Sequence, residues 1–183
     1  FGNNTKLTVY NDAGPIAVNL GTPPTATTPP DVPWQSVWAR QNDWQFQQFY
    51  PQSCIDDELC DAFDQQTGII HWRLANDSTI REAFYETDSD ATNRFFAQGD
   101  GSVMDPEVYR ELILEEHGAL HEAYPRRYKR FIVSGDDTHG AVQFTAGTDN
   151  FPPQPFLFYT QQANGTALSY WVREFVRIGQ RQS

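Results

Sequence analysis

A histidine and a carboxylate carried at the ends of successive strands are the raw material of a proton-transfer pair, and one such placement stands out in this chain. The short apolar run Phe131-Ile132-Val133 breaks into a polar turn, Ser134-Gly135-Asp136-Asp137-Thr138-His139. Upstream, Phe84-Tyr85-Glu86 runs into Thr87-Asp88-Ser89-Asp90 in the same way. A base histidine needs a carboxylate on its second ring nitrogen, to fix the tautomer and to stabilise the imidazolium that forms. Strand tips are rigid enough to hold both groups. Asp88 and Asp90 both qualify by position, and Asp90 is the better placed, at the junction with the next helix. The expected pair is therefore Asp90 and His139. Acid before histidine is also the order in which a Ser…Asp…His triad delivers its last two members. The first member has no counterpart, because no Gly-x-Ser-x-Gly occurs in the chain.

The other chemistry-bearing residues have plainer readings. His117 and His121 stand four apart on one helix, a zinc-ligand spacing without a third ligand, and are read as a solvated helix face. His71 beside Trp72 is read as a packing residue. Asp136, Asp137 and His139 together could hold a metal, the minor reading beside general-base chemistry. Cys54 and Cys60 enclose a short loop that a disulfide would staple. A zinc pair would need two further ligands at suitable spacing, so the disulfide is expected and no metal site is assigned.

Strands must carry the pair. Leu7-Thr8-Val9-Tyr10, Ile80 to Glu86 and Phe131 to Val133 read as three β-runs. A helix is expected from Ala91 to Gln98, and a longer one from Asp105 to Tyr124. Asp105 caps the latter, Pro106 opens its first turn, and Val108, Leu112, Leu120 and Tyr124 form its apolar stripe. A last helix, Leu168 to Ile178, places Leu168, Trp171, Val172, Phe175 and Val176 on one face and stops at Gly179. Strands alternating with helices imply parallel βαβ units. Residues 21–78 read as a loop and cap insertion: a Pro/Thr-rich exposed loop, then an irregular aromatic region from Trp34 to Trp72. The only helix expected there runs from Asp43 to Tyr50, stopped by Pro51. Residues 79–179 carry the strands and helices of the site. Three parallel strands leave an inner edge uncovered, so the sheet is expected to be completed by another chain.

A length of 183 residues with five Trp, eight Tyr and thirteen Phe supports one domain with a real core. A net charge of −11 argues against a nucleic-acid partner. The one basic stretch, Arg126-Arg127-Tyr128-Lys129-Arg130, reads as a solvated helix-to-strand connection. No apolar run of about 18 residues is present, so no membrane span is expected. Asn-x-Ser/Thr acceptors at Asn3, Asn76 and Asn164, together with the cysteine pair, point to a secreted protein. The start at Phe1 is read as that of a processed product.

On four segments the chain resembles the pectin acetylesterase family of α/β-hydrolases, which includes pectinacetylesterase-like and Notum-like branches. Val9-Tyr10-Asn11-Asp12-Ala13-Gly14-Pro15 is similar to the strand and turn after the family's nucleophile helix. Thr87-Asp88-Ser89-Asp90-Ala91-Thr92-Asn93-Arg94-Phe95-Phe96 resembles its acid segment. The run from Phe131 to His139 resembles its histidine segment, and Phe158-Tyr159, Asn164-Gly165 and Trp171-Val172 its closing pattern. His139 is followed by Gly140, where relatives often carry Thr, and Asn93 stands where Gln is usual. The resemblance implies the C-terminal half of an α/β-hydrolase sheet, with Asp90 as acid, His139 as base, and Asp12, Ala13 and Gly14 at the substrate pocket. It implies a secreted serine carboxylester hydrolase without cofactor. The nucleophilic serine would lie on an N-terminal chain of the same precursor, and the substrate would be an ester, such as an acetylated glycan. The alternative is a hydrolase-like interaction or structural subunit without activity.

Overall fold

The computed structural model describes residues 6–13, 50–60, 67–98, 103–141 and 156–181. Strand β1 (Thr8–Asp12) is followed by helices α1 (Gln52–Asp56) and α2 (Gly68–Asn76), strand β2 (Arg81–Thr87), and helices α3 (Ala91–Gln98) and α4 (Pro106–Ala123). Strand β3 (Tyr128–Val133), the short strands β4 (Gln162–Ala163) and β5 (Thr166–Ala167), and helix α5 (Leu168–Arg181) complete the order. The chain is thus mixed α/β. Among the described residues its main sheet is three-stranded and parallel in the order β1-β2-β3. The β4–β5 pair is an antiparallel hairpin, and its turn residues Asn164 and Gly165 both adopt positive φ, 50° and 74°. An Asn-Gly pair favours that two-residue turn because both central residues must sit in the left-handed region.

All seven residues of β2 are buried, as the middle strand of a sheet covered on both faces requires. Its side chains alternate between two cores. Phe84 packs with Ile70 and Leu74 of α2, Leu120 of α4 and Tyr128. Tyr85 packs on the opposite side with Phe131, Val133, Ala141, Leu168 and the partly buried Trp171 and Val172. The polar residues of β2 follow the same alternation. Glu82 takes two bonds from Arg73 of α2, at 2.7 and 2.8 Å, while Arg81 Nη1 donates to the Phe175 carbonyl of α5 at 2.8 Å. The Arg81 guanidinium also lies 4.4 Å from the Phe175 ring centroid.

Several sequence expectations shift. β1 runs two residues further than Tyr10, and β2 is displaced one residue to Thr87. β3 begins at Tyr128 rather than Phe131, so Tyr128, Lys129 and Arg130 belong to the strand and only Arg126 and Arg127 to the connection before it. Arg127 caps the end of α2 through the Leu74 and Asp77 carbonyls, and Arg130 Nη1 donates to Leu114 O at 2.8 Å. α4 has the expected Asp105 cap, whose side chain accepts from the Glu107 and Val108 amides. Its inward face, however, is Tyr109, Ile113, His117 and Leu120, with Val108 49 % exposed. The stripe is out of phase because two of its four inward residues, Tyr and His, carry polar atoms. α5 continues through Gly179, and Val176 faces outward.

The 21–78 segment is less irregular than expected where it is described. Pro51 precedes helix α1, which was not expected, and α2 is a core helix through Ile70 and Leu74. The expected helix at Asp43 to Tyr50 and the Pro/Thr-rich loop lie outside the described residues, apart from a bend at Tyr50. Cys54 and Cys60 form the expected disulfide, with Cα atoms 5.2 Å apart. Asn76 and Asn164 are exposed, and Asn3 lies outside the described residues. Among the described residues no helix is long and apolar enough to cross a membrane.

His117 is the clearest departure. It is fully buried, stacked on Phe84 at 3.6 Å between ring centroids, with Nδ1 2.5 Å from the Tyr128 hydroxyl and Nε2 without a hydrogen-bond partner among the described residues. Burial, with Arg130 adding to it, pushes the imidazole down to about 3 from its ordinary 6.5. A histidine held neutral in the fold but free to charge when unfolded gives stability that is whole above pH 6.5. That stability drains as the pH falls from 6.5 toward 3. Between pH 6.5 and about 5, the wild-type unfolding free energy should therefore fall more steeply than that of His117→Gln, by up to about 1.4 kcal/mol per pH unit. Urea melts across that range measure the difference; equal slopes would mean that the ring accepts a proton without unfolding.

Candidate functional site

The C-terminal ends of β1, β2 and β3 lie together, and the segments that leave them interlock. β2 ends at Thr87, the chain turns, and α3 starts at Ala91 with Asp90 in the capping position: Asp90 Oδ1 accepts the Asn93 amide at 2.8 Å. Asp, Asn and Ser are favoured there because the first amides of a helix have no partner of their own. The second oxygen, Oδ2, lies 2.8 Å from His139 Nδ1. Asp90 is fully buried, while the His139 side chain is 20 % exposed. The expected acid and base therefore meet. A carboxylate can only accept, so Nδ1 carries the hydrogen, and the neutral ring presents Nε2 as its basic nitrogen.

The loop bearing His139 is held along its whole length. Asp88 does not reach the histidine and acts as a clamp instead. Its Oδ1 accepts the Gly135 amide at 2.7 Å, and its Oδ2 accepts the Ser134 hydroxyl at 2.8 Å and Arg110 Nε at 3.1 Å. Ser89 N and Ala91 N donate to the Asp136 and Asp137 carbonyls, and Thr87 Oγ1 donates to Thr138 O at 2.7 Å. Asp136 accepts from the Thr138 amide and hydroxyl and from Gln161 Nε2. Gly135 and Gly140 bracket the histidine at φ 74° and 69°, a backbone state that side chains resist.

β1 supplies the other side. Asp12 Oδ1 accepts the Ala141 amide at 2.7 Å, two residues beyond the histidine. Ala13 is buried at φ 58°; its amide donates to Tyr85 O, and its carbonyl accepts Asn93 Nδ2. Asp12 and Ala13, expected at a substrate pocket, thus stand beside the dyad and brace its loop. Gly14 lies outside the described residues.

Electrostatics favour a charged imidazole. Burial alone would lower the pKa of His139, but the hydrogen bond and charge of Asp90, with Asp12 as a further negative neighbour, outweigh it and raise it above 6.5. A third acid, Glu86, is fully buried behind Asp90. Its Oε1 accepts the Thr87 amide and its Oε2 accepts Asn93 Nδ2, each at 2.9 Å. Burial first, then the charge of Asp90, holds its carboxyl well above the ordinary carboxylate range.

Sequence reasoning named Asp90 and His139 and missed the supports, Glu86, Asn93 and the bracing role of Asp12. One signal was available: Glu86 is an acid inside a run read as a buried strand, where an ionisable group needs a reason. Among the described residues no group of three or more His, Cys, Asp or Glu is disposed to hold a metal. His117 and His121, read as a solvated pair, instead address the hydroxyl and the carbonyl of Tyr128. A cavity of about 370 Å³ lined by Thr67, His71, Glu116 and Leu120 lies between α2 and α4, and no residue of the dyad lines it.

Asp90→Asn keeps a competent helix cap while removing the charge that raises His139, so burial should prevail. The His139 pKa, followed by NMR of the ring protons, should fall below 6.5; an unchanged or higher value would exclude Asp90 as its electrostatic partner. No family model, curated protein or solved structure matches this chain, so the reading of the site rests on its own geometry.

Proposed function

We propose that this chain carries the acid and the base of a secreted serine carboxylester hydrolase of the pectin acetylesterase type. The observation that carries the reading is the 2.8 Å contact between Asp90 and His139, at the tips of adjacent parallel strands. In this reading a serine hydroxyl meets His139 Nε2 from a separate N-terminal chain of the same precursor, which also completes the sheet. His139 takes the serine proton as the oxygen attacks an ester carbonyl, and returns it to the departing alcohol oxygen. Asp90 stabilises the imidazolium in between. Backbone donors of the companion chain hold the oxyanion. The substrate is an acylated or acetylated carbohydrate or a similar ester. The chemistry of the dyad itself calls for no metal or cofactor.

The raised His139 pKa supports this role, because the charged ring is the species formed during proton transfer. A hydrolase-like subunit without activity would keep the dyad but lack the serine, so the companion chain decides between the two.

Native material should contain a second polypeptide that a fluorophosphonate labels on serine. In the assembled protein His139→Ala should lower turnover of a small acetyl ester by about 10³-fold or more while the fold persists. The wild-type kcat/KM should fall on the acid side with an apparent pKa above 6.5, since Nε2 must be unprotonated to act as the base. Undiminished turnover in the variant would defeat the assignment. A companion without a reactive serine would favour the inactive subunit.

A further inference from the structure

Glu82 and Glu86 stand on the same face of β2, both fully buried. Their surroundings differ. Glu82 is matched by Arg73, whose guanidinium reaches both of its oxygens. Among the described residues, Glu86 receives neutral donors, the Thr87 amide and the Asn93 side-chain amide. The titratable groups that bear on it are Asp90, Tyr109 and Tyr85, each of them an acid. An ionised carboxylate buried without a cation costs several kcal/mol. A second ionised carboxylate beside it adds repulsion at low dielectric, so two acids sharing such a site release only one proton between them.

Asn93 ties the two acids together. Its backbone amide donates to Asp90 Oδ1 and its side chain to Glu86 Oε2, while the same side chain also donates to Ala13 O. The Asp90 carboxylate is the one that must accept from His139, so Glu86 is the member that keeps its proton. We infer that Glu86 is a positioning residue held as the neutral acid, donating its carboxyl proton to Asp90. Asp90 then has three donors, the helix amide, the imidazole and Glu86. They fix its orientation and share its charge, and so set how strongly it pulls on the His139 proton. The raised Glu86 pKa described above agrees with this arrangement. The inference deepens the reading of His139 as a base and takes its purpose from that reading, but its test does not depend on turnover.

The intact chain at neutral pH should show the carbonyl stretch of a protonated side-chain carboxyl, assigned with carbon-13-labelled glutamate and absent from Glu86→Gln. NMR titration of His139 gives the second readout. Glu86→Gln removes no charge and still offers a donor, so the histidine pKa should stay within about 0.3 of the wild-type value. Glu86→Met, similar in volume but without a donor, should raise it by about half a unit, because Asp90 loses a hydrogen bond. A fall of about one unit in Glu86→Gln would show that Glu86 was anionic and overturn the inference. An unmoved histidine in a folded Glu86→Met would reduce Glu86 to packing. Should Glu86→Met fail to fold, the labelled wild-type chain decides, and a missing carboxylic-acid band sinks the proposal. A band present in a protein that hydrolyses no ester would leave this inference standing and the hydrolase reading fallen.

Discussion

Asp90 has two oxygens and the structure uses them for different things. Oδ1 starts a helix by taking the Asn93 amide; Oδ2 holds the His139 imidazole. A helix cap contributes on the order of 1 kcal/mol, and a hydrogen bond to a charged group roughly 1.5–3 kcal/mol. Neither is large, but the two share one side chain. Rotation of Asp90 away from the histidine would also uncap α3. The stability of the helix thus defends the geometry of the dyad, and the acid cannot drift without a folding cost. This coupling explains why the acid sits at a strand-to-helix junction and not in a freer loop.

The same economy runs along β2. A middle strand of a parallel sheet is expected to be almost wholly apolar, yet this one reads Arg-Glu-Ala-Phe-Tyr-Glu-Thr and is buried throughout. Each polar side chain is answered by a different element. Arg81 addresses α5, Glu82 addresses α2, Glu86 addresses α3, and Thr87 addresses the histidine loop. Hydrophobic burial still supplies the bulk of the driving force through Phe84 and Tyr85. The polar contacts add direction. Apolar packing tolerates small slips, whereas a buried hydrogen bond that misses its partner costs about 1–3 kcal/mol. β2 therefore fixes the register of the elements that meet at the site. The Glu82–Arg73 pair is affordable because the Arg73 side chain stays 33 % exposed and keeps part of its hydration.

This polarity also marks what could be read from the sequence and what could not. Strand β1, helices α3 and α4 and the Asp90–His139 pair were legible because each has a local signature: a β-rich run, a cap, a strand broken by a polar turn. The start of β3 was not, since Lys129 and Arg130 look solvated until the carbonyls they bond are known. Nor was the inward face of α4, where Tyr109 and His117 replace the expected aliphatics. His117 is buried against Phe84 and Tyr128, and Tyr109 packs with Ile113, Met104 and Ile132, contacts that no local pattern announces. α2 was hidden for a related reason. Its helix has no side-chain cap and shows itself only through Ile70 and Leu74, one turn apart. The supports of the site, Asp12 on Ala141 and Asn93 on Glu86 and Ala13, join segments that no local pattern relates.

Three acids stand around one imidazole. Asp90 touches His139, Asp12 acts on it from the end of β1, and Glu86 stands behind Asp90. Were all three ionised, the histidine would be drawn strongly toward its charged form and would serve poorly as a base near neutral pH. Burial opposes this by disfavouring the imidazolium, and the net result is a pKa raised above 6.5. A proton kept on Glu86 moderates the pull further, because it both removes one charge and spreads another. An acid buried next to the working carboxylate thus tempers it, and a base can be both well oriented and still basic at the pH where it must act.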